Sequence, residues 1–253
     1  MTLKLLTYNI RFGGRGRESL LAAVIRAVAP DLVVFQEATD TRVIEALAQA
    51  TEFPFWAAQR AHSIAYISRV EIAYHEWHYP PGAKHSFLEI VLAEHETRIF
   101  GLHLTALFSK WSERQRAREI RALLKGIERY QHGFHVLVGD FNTLAPGELL
   151  DVRRMPAWIR ALVWISGRDI QRETIKVMLD ANYADAFRLL HPDIKGHTFP
   201  TWDPHLRLDY VFLPVNFADR LKSCEVIYDH TEAVTASDHF PLLAEFDLNQ
   251  EKS

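Results

Sequence analysis

The sequence contains a single cysteine, Cys224, among 253 residues. One cysteine excludes a disulfide within the chain and a cluster of thiolate metal ligands, and it is typical of a reducing compartment. No apolar run approaches the length that spans a bilayer, since the best candidate, Met155–Gly167, is short and contains Arg160. The first residues enter a strand-like pattern at once and lack the apolar region of a signal peptide. We therefore expect a cytoplasmic protein that is not an integral membrane protein.

A strong charge of one sign is also lacking. The formal net charge is −3, so the molecule as a whole is not a polycation. Strong non-specific DNA binding would require a local basic patch, because phosphate contacts dominate that affinity. Hydrophobic residues make up 48% of the chain, which is enough for a sizeable core. No linker, repeat or low-complexity tract divides the sequence, so we predict one domain over residues 1–253.

Strands and helices are interspersed along the chain. Short apolar, β-branched runs predict strands at Leu3–Tyr8, Leu32–Phe35, Ile64–Ile67, Phe87–Ala93, Ile99–Leu104, Val136–Val138, Leu208–Leu213, Cys224–Tyr228 and Leu242–Phe246. Helical spacing predicts helices at Glu18–Val28, Thr41–Ala50, Glu113–Tyr130, within Pro156–Ser166, and at Arg168–Leu179. Residues 93–97 are typical of a hairpin turn, and Ser112 followed by Gln115 predicts a helix start. This order favours a mixed α/β layered domain.

Polar side chains recur where the predicted strands end. The run His135–Glu148 closes an apolar strand with Asp140, and Asn142 follows two places later, on the same face of an extended chain. The other strand ends carry Asn9, Glu37, His103, Asp209, Asp238 and His239. Taken singly, most of these polar residues are explained by a turn, a helix cap or a histidine in the core. Asp209 is the exception, because an acid in an apolar strand is unfavourable unless it is paired. Together they predict a catalytic site at the strand ends.

The acidic residues also suggest a metal. Glu37 and Asp238, with Asp140 as a third candidate, form an oxygen-only set that suits a hard cation such as Mg²⁺. No grouping of cysteine and histidine indicates structural zinc.

Six short motifs occur in a fixed order: "TYNI", "FQEA", "LHL", "GDFN", "RLDYVF" and "SDHFPL". This series, from Thr7 to Leu242, resembles the endonuclease/exonuclease/phosphatase superfamily with its deoxyribonuclease-like fold. The pair of "GDFN" and a later "SDH" is specific, whereas any one motif alone is weak. The resemblance implies an α/β four-layer sandwich, in which two mixed β-sheets pack face to face with helices outside. It places the site at one edge, where the strand-end loops meet.

The resemblance also implies a metal site and its cofactor. Glu37 resembles the principal metal ligand, Asn9 would support the metal and the phosphate, and Asp238 would complete the metal or general-base environment. Asp140 is a further candidate ligand. The implied cofactor is Mg²⁺, with Mn²⁺ able to substitute.

The remaining motif residues resemble the catalytic set. His239 with Asp209 resembles the family's His–Asp pair, in which the acid fixes the imidazole tautomer. Asp140 and Asn142 would position the attacking water and a phosphoryl oxygen, and His103 would contact phosphate or assist the leaving group. Whether His239 or Asp140 is the general base stays open at this point.

The substrate is less constrained, because fold does not choose among phosphoesters. Basic residues near the expected site suit phosphate binding or simply form a solvated surface: Arg11, Arg15, Arg17, Lys110, Arg114 and Arg116. Trp202 is a candidate wall of the pocket. Trp158, Ile159, Leu162, Val163 and Ile165 form an apolar helical face, either packed on the domain or acting as a lid or lipid-facing wall.

We therefore predict a Mg²⁺-dependent phosphoester hydrolase, foremost a phosphodiesterase of nuclease type acting on DNA or RNA. The alternatives are a phospholipid (sphingomyelinase-like) or small-molecule phosphodiesterase or phosphatase, and a non-catalytic binding module. The substrate-binding candidates are Asn142, Arg11, Arg15 and Trp202. We expect no obligate protein partner.

Overall fold

The computed structural model describes residues 1–165 and 172–249. Within these residues the strands lie at Thr2–Asn9 (β1), Leu32–Gln36 (β2), Phe55–Ala57 (β3), Ile64–Ser68 (β4), Ile72–His78 (β5), Phe87–Leu92 (β6), Arg98–His103 (β7), His135–Asp140 (β8), Tyr183–Asp185 (β9), Asp209–Pro214 (β10), Leu221–Val226 (β11) and Leu242–Asp247 (β12). The helices lie at Glu18–Val28 (α1), Thr41–Thr51 (α2), Lys110–Gly126 (α3), Ala157–Ile165 (α4), Glu173–Asp180 (α5), Ala186–Leu190 (α6) and Thr231–Ala236 (α7).

The strands form two mixed six-stranded sheets. The first has the order β11-β12-β1-β2-β4-β3, and the second has the order β5-β6-β7-β8-β10-β9. Among the strands of the described residues, β1 with β2 and β7 with β8 are the pairs that run parallel, so each sheet has one parallel pair at its centre. Because the carboxyl ends of a parallel pair lie at the same edge, polar side chains at these ends gather at one edge of each sheet.

The sheets pack face to face and helices cover their outer faces. Strands β1, β2 and β4 contact β7 or β8 across the interface. Leu5 and Val33 of the first sheet share one buried cluster with Val138 and Val211 of the second. Helices α1, α2 and α7 pack on the first sheet, and α3 and α5 pack on the second through a cluster that includes Phe100. The predicted four-layer α/β sandwich is therefore confirmed.

One glycine is fixed by the close approach of β7 to β8. Gly139 has φ +148°, and a Cβ there would lie 1.9 Å from the backbone oxygen of Leu102. Only glycine fits such a contact. Gly139 therefore allows β8 to bring Asp140 beside the end of β7.

Several predicted boundaries are corrected by the structure. Helix α3 begins at Lys110, and its N-cap is Ser109, whose hydroxyl accepts from the backbone N–H of Ser112; the prediction of a start after Ser112 was wrong. The predicted end at Tyr130 includes a separate 3-10 turn, Glu128–Tyr130. Helix α5 begins at Glu173, whereas residues 168–171 of the predicted helix lie outside the described residues.

The sequence analysis missed β3, β5, β9, α6 and α7. Four of these have six residues or fewer, too short for a hydrophobic period to emerge. The fifth, β5, is an edge strand whose middle residues are exposed, so it lacks the alternating apolar face on which the prediction depends.

Candidate active site

Strand register aligns three polar side chains across the second sheet. In the parallel pair β7–β8, His103 lies opposite Asp140, and both residues end their strands. On the other side of β8, the antiparallel strand β10 places its first residue, Asp209, opposite the same Asp140. Residues directly opposite each other point to the same face of a sheet. Three of the predicted site residues therefore form one row.

Asn9, at the end of β1, connects this row to the first sheet. Its side-chain nitrogen donates to Oδ2 of Asp140 at 3.0 Å and to Oε1 of Glu37 at 3.4 Å. The other oxygen of Glu37 accepts from the backbone N–H of Phe12 at 2.6 Å. Both donors are neutral, so these contacts leave the negative charge of Glu37 uncompensated. Glu37 has a left-handed backbone, φ 56°, which is uncommon outside glycine and occurs often at functional sites.

The buried pair of Asp209 and His239 lies behind this row. Oδ2 of Asp209 accepts from Nδ1 of His239 at 2.8 Å, and Nε2 of His239 lies 3.9 Å from Asp140. Burial opposes protonation of His239, but the charges of Asp209, Asp140 and Asp238 and the hydrogen bond that His239 donates to Asp209 outweigh it and raise the His239 pKa to about 10. The surrounding carboxylates therefore favour the protonated form of the His239 ring. Phe199 covers it, with ring centroids 4.8 Å apart.

The pKa values of Asp140 and His103 are shifted in opposite directions. Burial raises the pKa of Asp140 to about 7, although the His239 charge opposes this shift. Burial lowers the pKa of His103 to about 4, and the positive charges of His85 and His239 add to this effect. Nε2 of His103 lies 3.8 Å from Asp140. Perturbed pKa values of opposite sense on adjacent groups are typical of acid–base sites.

Asn142 and Asp238 border the row. The side chain of Asn142 donates to the backbone oxygen of Leu104 at 3.0 Å and to Asp140 at 3.2 Å, and its backbone N–H also donates to Asp140. Asp238 lies 3.3 Å from Nε of Arg11, another predicted substrate-binding residue. Of the two predicted neighbours of the phosphate, Asn142 thus contacts Asp140 and Arg11 lies beside Asp238.

The other predicted basic residues have different surroundings. Arg15 donates to the buried carboxylate of Asp40 at 2.6 Å, while most of its side chain is exposed. Arg17 donates to the backbone oxygens of Ile10, Arg11 and Ala236, so it ties the 10–17 loop to α7. Arg116 is fully buried against Glu113. Arg17 and Arg116 therefore do not belong to the solvent-exposed basic edge that the sequence suggested.

Aromatic side chains border one side of the site. Trp202 is 65% exposed and packs against Phe199, the ring that covers His239. Helix α4 also approaches this side, because Val163 and the partly buried Ile159 join a cluster that includes Phe199. Trp158, by contrast, is 56% exposed. The predicted apolar face of α4 is thus divided, with one part packed on the domain and one part open to solvent.

One pair beside the site was missed by the sequence analysis. His85, just before β6, stacks on His103 with ring centroids 6.1 Å apart, and Nδ1 of His85 lies 3.5 Å from Oε1 of Glu119 on α3. Neither residue belongs to a motif or ends a predicted strand. Only the packing of α3 on the second sheet brings them together, so no local pattern indicates them.

The sequence matches the model of the Endonuclease/Exonuclease/phosphatase family over residues 6–239. The chain belongs to this family. No curated protein matches it significantly. A 3' phosphatase, NExo, from Neisseria, solved with a product DNA hairpin, is similar at a TM-score of 0.73 and 20% identity, covering 97% of this chain and 99% of that one.

Two further solved structures share the fold. An AP endonuclease from Archaeoglobus fulgidus has a TM-score of 0.75 at 18% identity, covering 97% of this chain and 99% of that one. TDP2 from D. rerio, complexed with a single strand DNA product, has a TM-score of 0.68 at 16% identity, covering 97% and 99%. This member of the endonuclease/exonuclease/phosphatase family is accordingly a phosphoesterase, a hydrolase with nuclease-like and phosphatase-like structural neighbours.

Enzymes of the endonuclease/exonuclease/phosphatase family are generally metal-dependent, and a buried cluster here could hold an ion. Ligand atoms of Asp140, Asp209 and His239 all lie within 4.8 Å of one another. This cluster shares only Asp140 with the set predicted from sequence, which was Glu37, Asp238, Asn9 and Asp140. In the described part of the chain, no helix is both long enough and apolar enough to cross a membrane.

Proposed function

We propose that this protein is a Mg²⁺-dependent phosphodiesterase of nuclease type, in which a water molecule attacks phosphorus in line with the leaving group. The observation that carries the proposal is the set of contacts around Asp140. This carboxylate accepts from Asn9 and lies 3.8 Å from His103 and 3.9 Å from His239, which Asp209 supports from behind. An acid–base row of this kind suits the proton transfers of phosphoester hydrolysis.

Glu37 and Asp238 are proposed to hold the metal, and Asn9 is proposed to support the site by donating to Glu37. The uncompensated charge of Glu37 and the oxygen-rich surroundings fit a hard cation. The alternative cluster shares Asp140 with the predicted set, but its other two members, Asp209 and His239, already pair with each other through Oδ2 and Nδ1 at 2.8 Å. A bound Mg²⁺ ion would neutralise charge that develops on the phosphoryl oxygens.

The pKa shifts support a division of roles between Asp140 and His239. A general base works best when its pKa lies near the operating pH, and burial raises the pKa of Asp140 to about 7. His239, held as an imidazolium, is unsuited to accept a proton and suited to stabilise negative charge on the phosphate. We therefore assign the base to Asp140 and electrostatic stabilisation to His239.

Asn142, His103 and Arg11 are proposed to bind the phosphate. The side-chain amide of Asn142 donates to Asp140 at 3.2 Å, and a phosphoryl oxygen that displaced this long contact would accept the hydrogen bond close to the attacked phosphorus. Arg11 lies beside Asp238, where its guanidinium can grip a phosphate through paired hydrogen bonds.

Nucleic acid is the proposed substrate, because Neisseria NExo and D. rerio TDP2 were both solved with DNA products. The test is initial-rate hydrolysis of bis-p-nitrophenyl phosphate, DNA, RNA, sphingomyelin and phosphomonoesters, with Mg²⁺ and with EDTA. We expect Mg²⁺-dependent cleavage of the diesters, with oligonucleotides among the substrates. Cleavage of phosphomonoesters alone would overturn the phosphodiesterase assignment, and no hydrolysis of any substrate would favour a binding module.

A lipid phosphodiesterase is a second candidate, favoured by the solvent-exposed part of α4. Trp158, Trp164 and Ile165 are 56%, 63% and 74% exposed, and tryptophan prefers membrane interfaces. A lipid enzyme should show little salt dependence and lose activity on Trp158→Ser against bilayers but not against soluble diesters. A nuclease should lose affinity steeply with salt, and Arg11→Ala with Arg15→Ala should flatten that slope by about one counterion per contact removed.

A further inference from the structure

His85 is oriented by a buried carboxylate on α3. Glu119 is fully buried, and His85 is the basic side chain with which it forms an ion pair, at 3.5 Å. Its other contacts are neutral donors: the backbone N–H of Lys84 at 3.0 Å, the hydroxyl of Thr105 at 3.2 Å, the amide of Gln115 at 3.3 Å and the backbone N–H of Thr105 at 3.4 Å. A buried carboxylate needs hydrogen bonds or a positive charge to offset its lost hydration. Glu119 thus fixes the imidazole through Nδ1.

The orientation leaves the other ring nitrogen available. Nδ1 of His85 lies 3.5 Å from Oε1 of Glu119 and 3.5 Å from Oγ1 of Thr105, so this edge of the ring faces the carboxylate and the hydroxyl that donates to it. Nε2 of His85 forms no hydrogen bond with any residue in 1–165 or 172–249. The side chain is also 30% exposed, in contrast to Glu119 behind it. One nitrogen of this ring faces a buried carboxylate, the other forms no hydrogen bond within the described residues, and the side chain is partly exposed. Such an arrangement suits ligand binding better than packing in a hydrophobic core.

The ring lies next to the proposed reaction centre. It stacks on His103 at an interplanar angle of 22°, and Nε2 of His103 lies 3.8 Å from Asp140. His103 separates His85 from Asp140, so His85 is one ring further from the attacked phosphorus. Its position suits a phosphate oxygen on the His103 side of the site, at the edge of the substrate rather than at the point of attack.

We infer that His85, positioned by Glu119, is a phosphate-binding residue that extends the active site beyond His103. The inference rests on the proposed function, since it names a further substrate contact of the same site. It assigns no proton transfer to His85. In the proposed phosphate-bound state the ring is an imidazolium, whose Nδ1–H faces Glu119 and whose Nε2–H donates to a non-bridging phosphate oxygen. The role of Glu119 is to position the ring.

Kinetics of His85 variants test the inference. For His85→Ala we expect KM for a diester substrate to rise roughly tenfold, the loss typical of one hydrogen bond to a charged group, with kcat nearly unchanged. His85→Lys should recover part of the loss, because lysine restores a cationic donor. His132→Ala is the matched control, since His132 is an exposed histidine in the turn before β8. An unchanged KM in His85→Ala would overturn the inference, as would an equal KM in His85→Ala and His85→Lys.

A second measurement does not require hydrolysis. Inorganic phosphate is titrated into the wild-type protein while the imidazole NMR signals are followed, and His85→Gln, which retains a donor near Glu119, identifies the His85 signal. We expect a saturable shift of the His85 signal and none of the His132 signal. A His85 signal that does not respond would overturn the inference even if the enzyme hydrolyses diesters. A saturable shift in a protein that hydrolyses no substrate would instead count against the proposed function alone.

Discussion

Two histidine–carboxylate pairs lie on opposite sides of Asp140, and they differ in burial. In the first pair, the His239 side chain is 5% exposed and contacts Asp209 at 2.8 Å. In the second pair, the His85 side chain is 30% exposed and contacts Glu119 at 3.5 Å. Both carboxylates are fully buried or nearly so. The carboxylate environments are thus similar, whereas the access of solvent and substrate to the two rings differs.

On this difference we base the proposal that the two pairs have different roles. A short hydrogen bond at a site shielded from water strengthens the interaction and shifts the pKa of His239 upwards. The resulting imidazolium is positioned for electrostatic stabilisation. A longer contact at an open site leaves a ring that can exchange water for a phosphate oxygen. We therefore assign the buried pair to the chemical step and the open pair to substrate binding.

The largest expected effect comes from breaking the buried pair. Asp209→Asn preserves the shape of the side chain but removes the charge that supports the imidazolium and disturbs the tautomer. By analogy with the same change in a serine protease triad, kcat should fall by roughly 10³ to 10⁴-fold, with the fold retained. Initial rates and thermal unfolding check this, and Asp219→Asn, at an exposed acid in the turn after β10, is the control. Turnover close to that of the wild type would contradict the assignment of this pair to the chemical step.

An intermediate effect is expected from the open pair. Glu119→Gln keeps the volume of the side chain and one acceptor oxygen, but it replaces the other oxygen with an NH2 donor and removes the charge. KM should rise roughly three- to tenfold, because the loss of one charge-assisted contact weakens the orientation of His85. The kcat should stay within about twofold of the wild type, since Glu119 acts through a substrate-binding residue. Glu128→Gln, in the exposed turn after α3, is the matched control. A fall in kcat as large as that of Asp209→Asn would contradict the assignment of the open pair to substrate binding.

The smallest effect is expected from a third pair, His78 with Glu89, on β5 and β6 outside the site. These side chains are 2.8 Å apart, and the hydrogen bond to Glu89 raises the pKa of His78 above its usual value of 6.5. A raised pKa stabilises the fold fully below about pH 6.5, and this stabilisation is lost as the pH rises through the folded-state pKa. Because His78 is about a third exposed, the contribution should be under about 1 kcal/mol.

Denaturant unfolding of His78→Gln at pH 6 and pH 9 measures this contribution. The variant should be less stable than the wild type at pH 6, where Glu89 is ionised, and the difference should shrink at pH 9. The kcat and KM should not change. A difference that grows with pH would show that the pair stabilises the fold in another way, and a changed KM would show that this edge of the sheet also affects the substrate.

The sequence predicted the residues of the buried pair better than those of the open pair. Asp209 and His239 end or border strands in motifs, and an acid in an apolar strand requires a partner, so local pattern was sufficient. The alignment of His103, Asp140 and Asp209 depends on strand register. The order of the motifs implied this register, but no local spacing in the sequence specified it. His85 and Glu119 meet only through the packing of α3 on β6 and β7.

The same limit applies to the basic residues. Arg17 and Arg116 are basic residues of the kind that binds phosphate. Their guanidinium groups instead donate to backbone oxygens, and that of Arg116 also forms an ion pair with Glu113. The direction of a long side chain is set by the acceptors it meets in the folded chain. The sequence therefore predicted the layered fold and a site at the strand ends. Tertiary packing determines which basic side chains are already bonded to acceptors within the protein.

The central claim is metal-assisted phosphodiester hydrolysis at this strand-end site. Its most direct test is the Mg²⁺ concentration that the Glu37→Gln variant needs for half-maximal rate. Initial rates on bis-p-nitrophenyl phosphate are measured over a Mg²⁺ titration for the wild type, for Glu37→Gln and for the control Glu45→Gln, at an exposed acid on α2. The account predicts that EDTA abolishes wild-type activity, that Mg²⁺ restores it, and that Glu37→Gln requires roughly tenfold or more Mg²⁺ for half-maximal rate, whereas Glu45→Gln does not. Wild-type activity that persists in EDTA, or equal Mg²⁺ requirements in all three proteins, would contradict it.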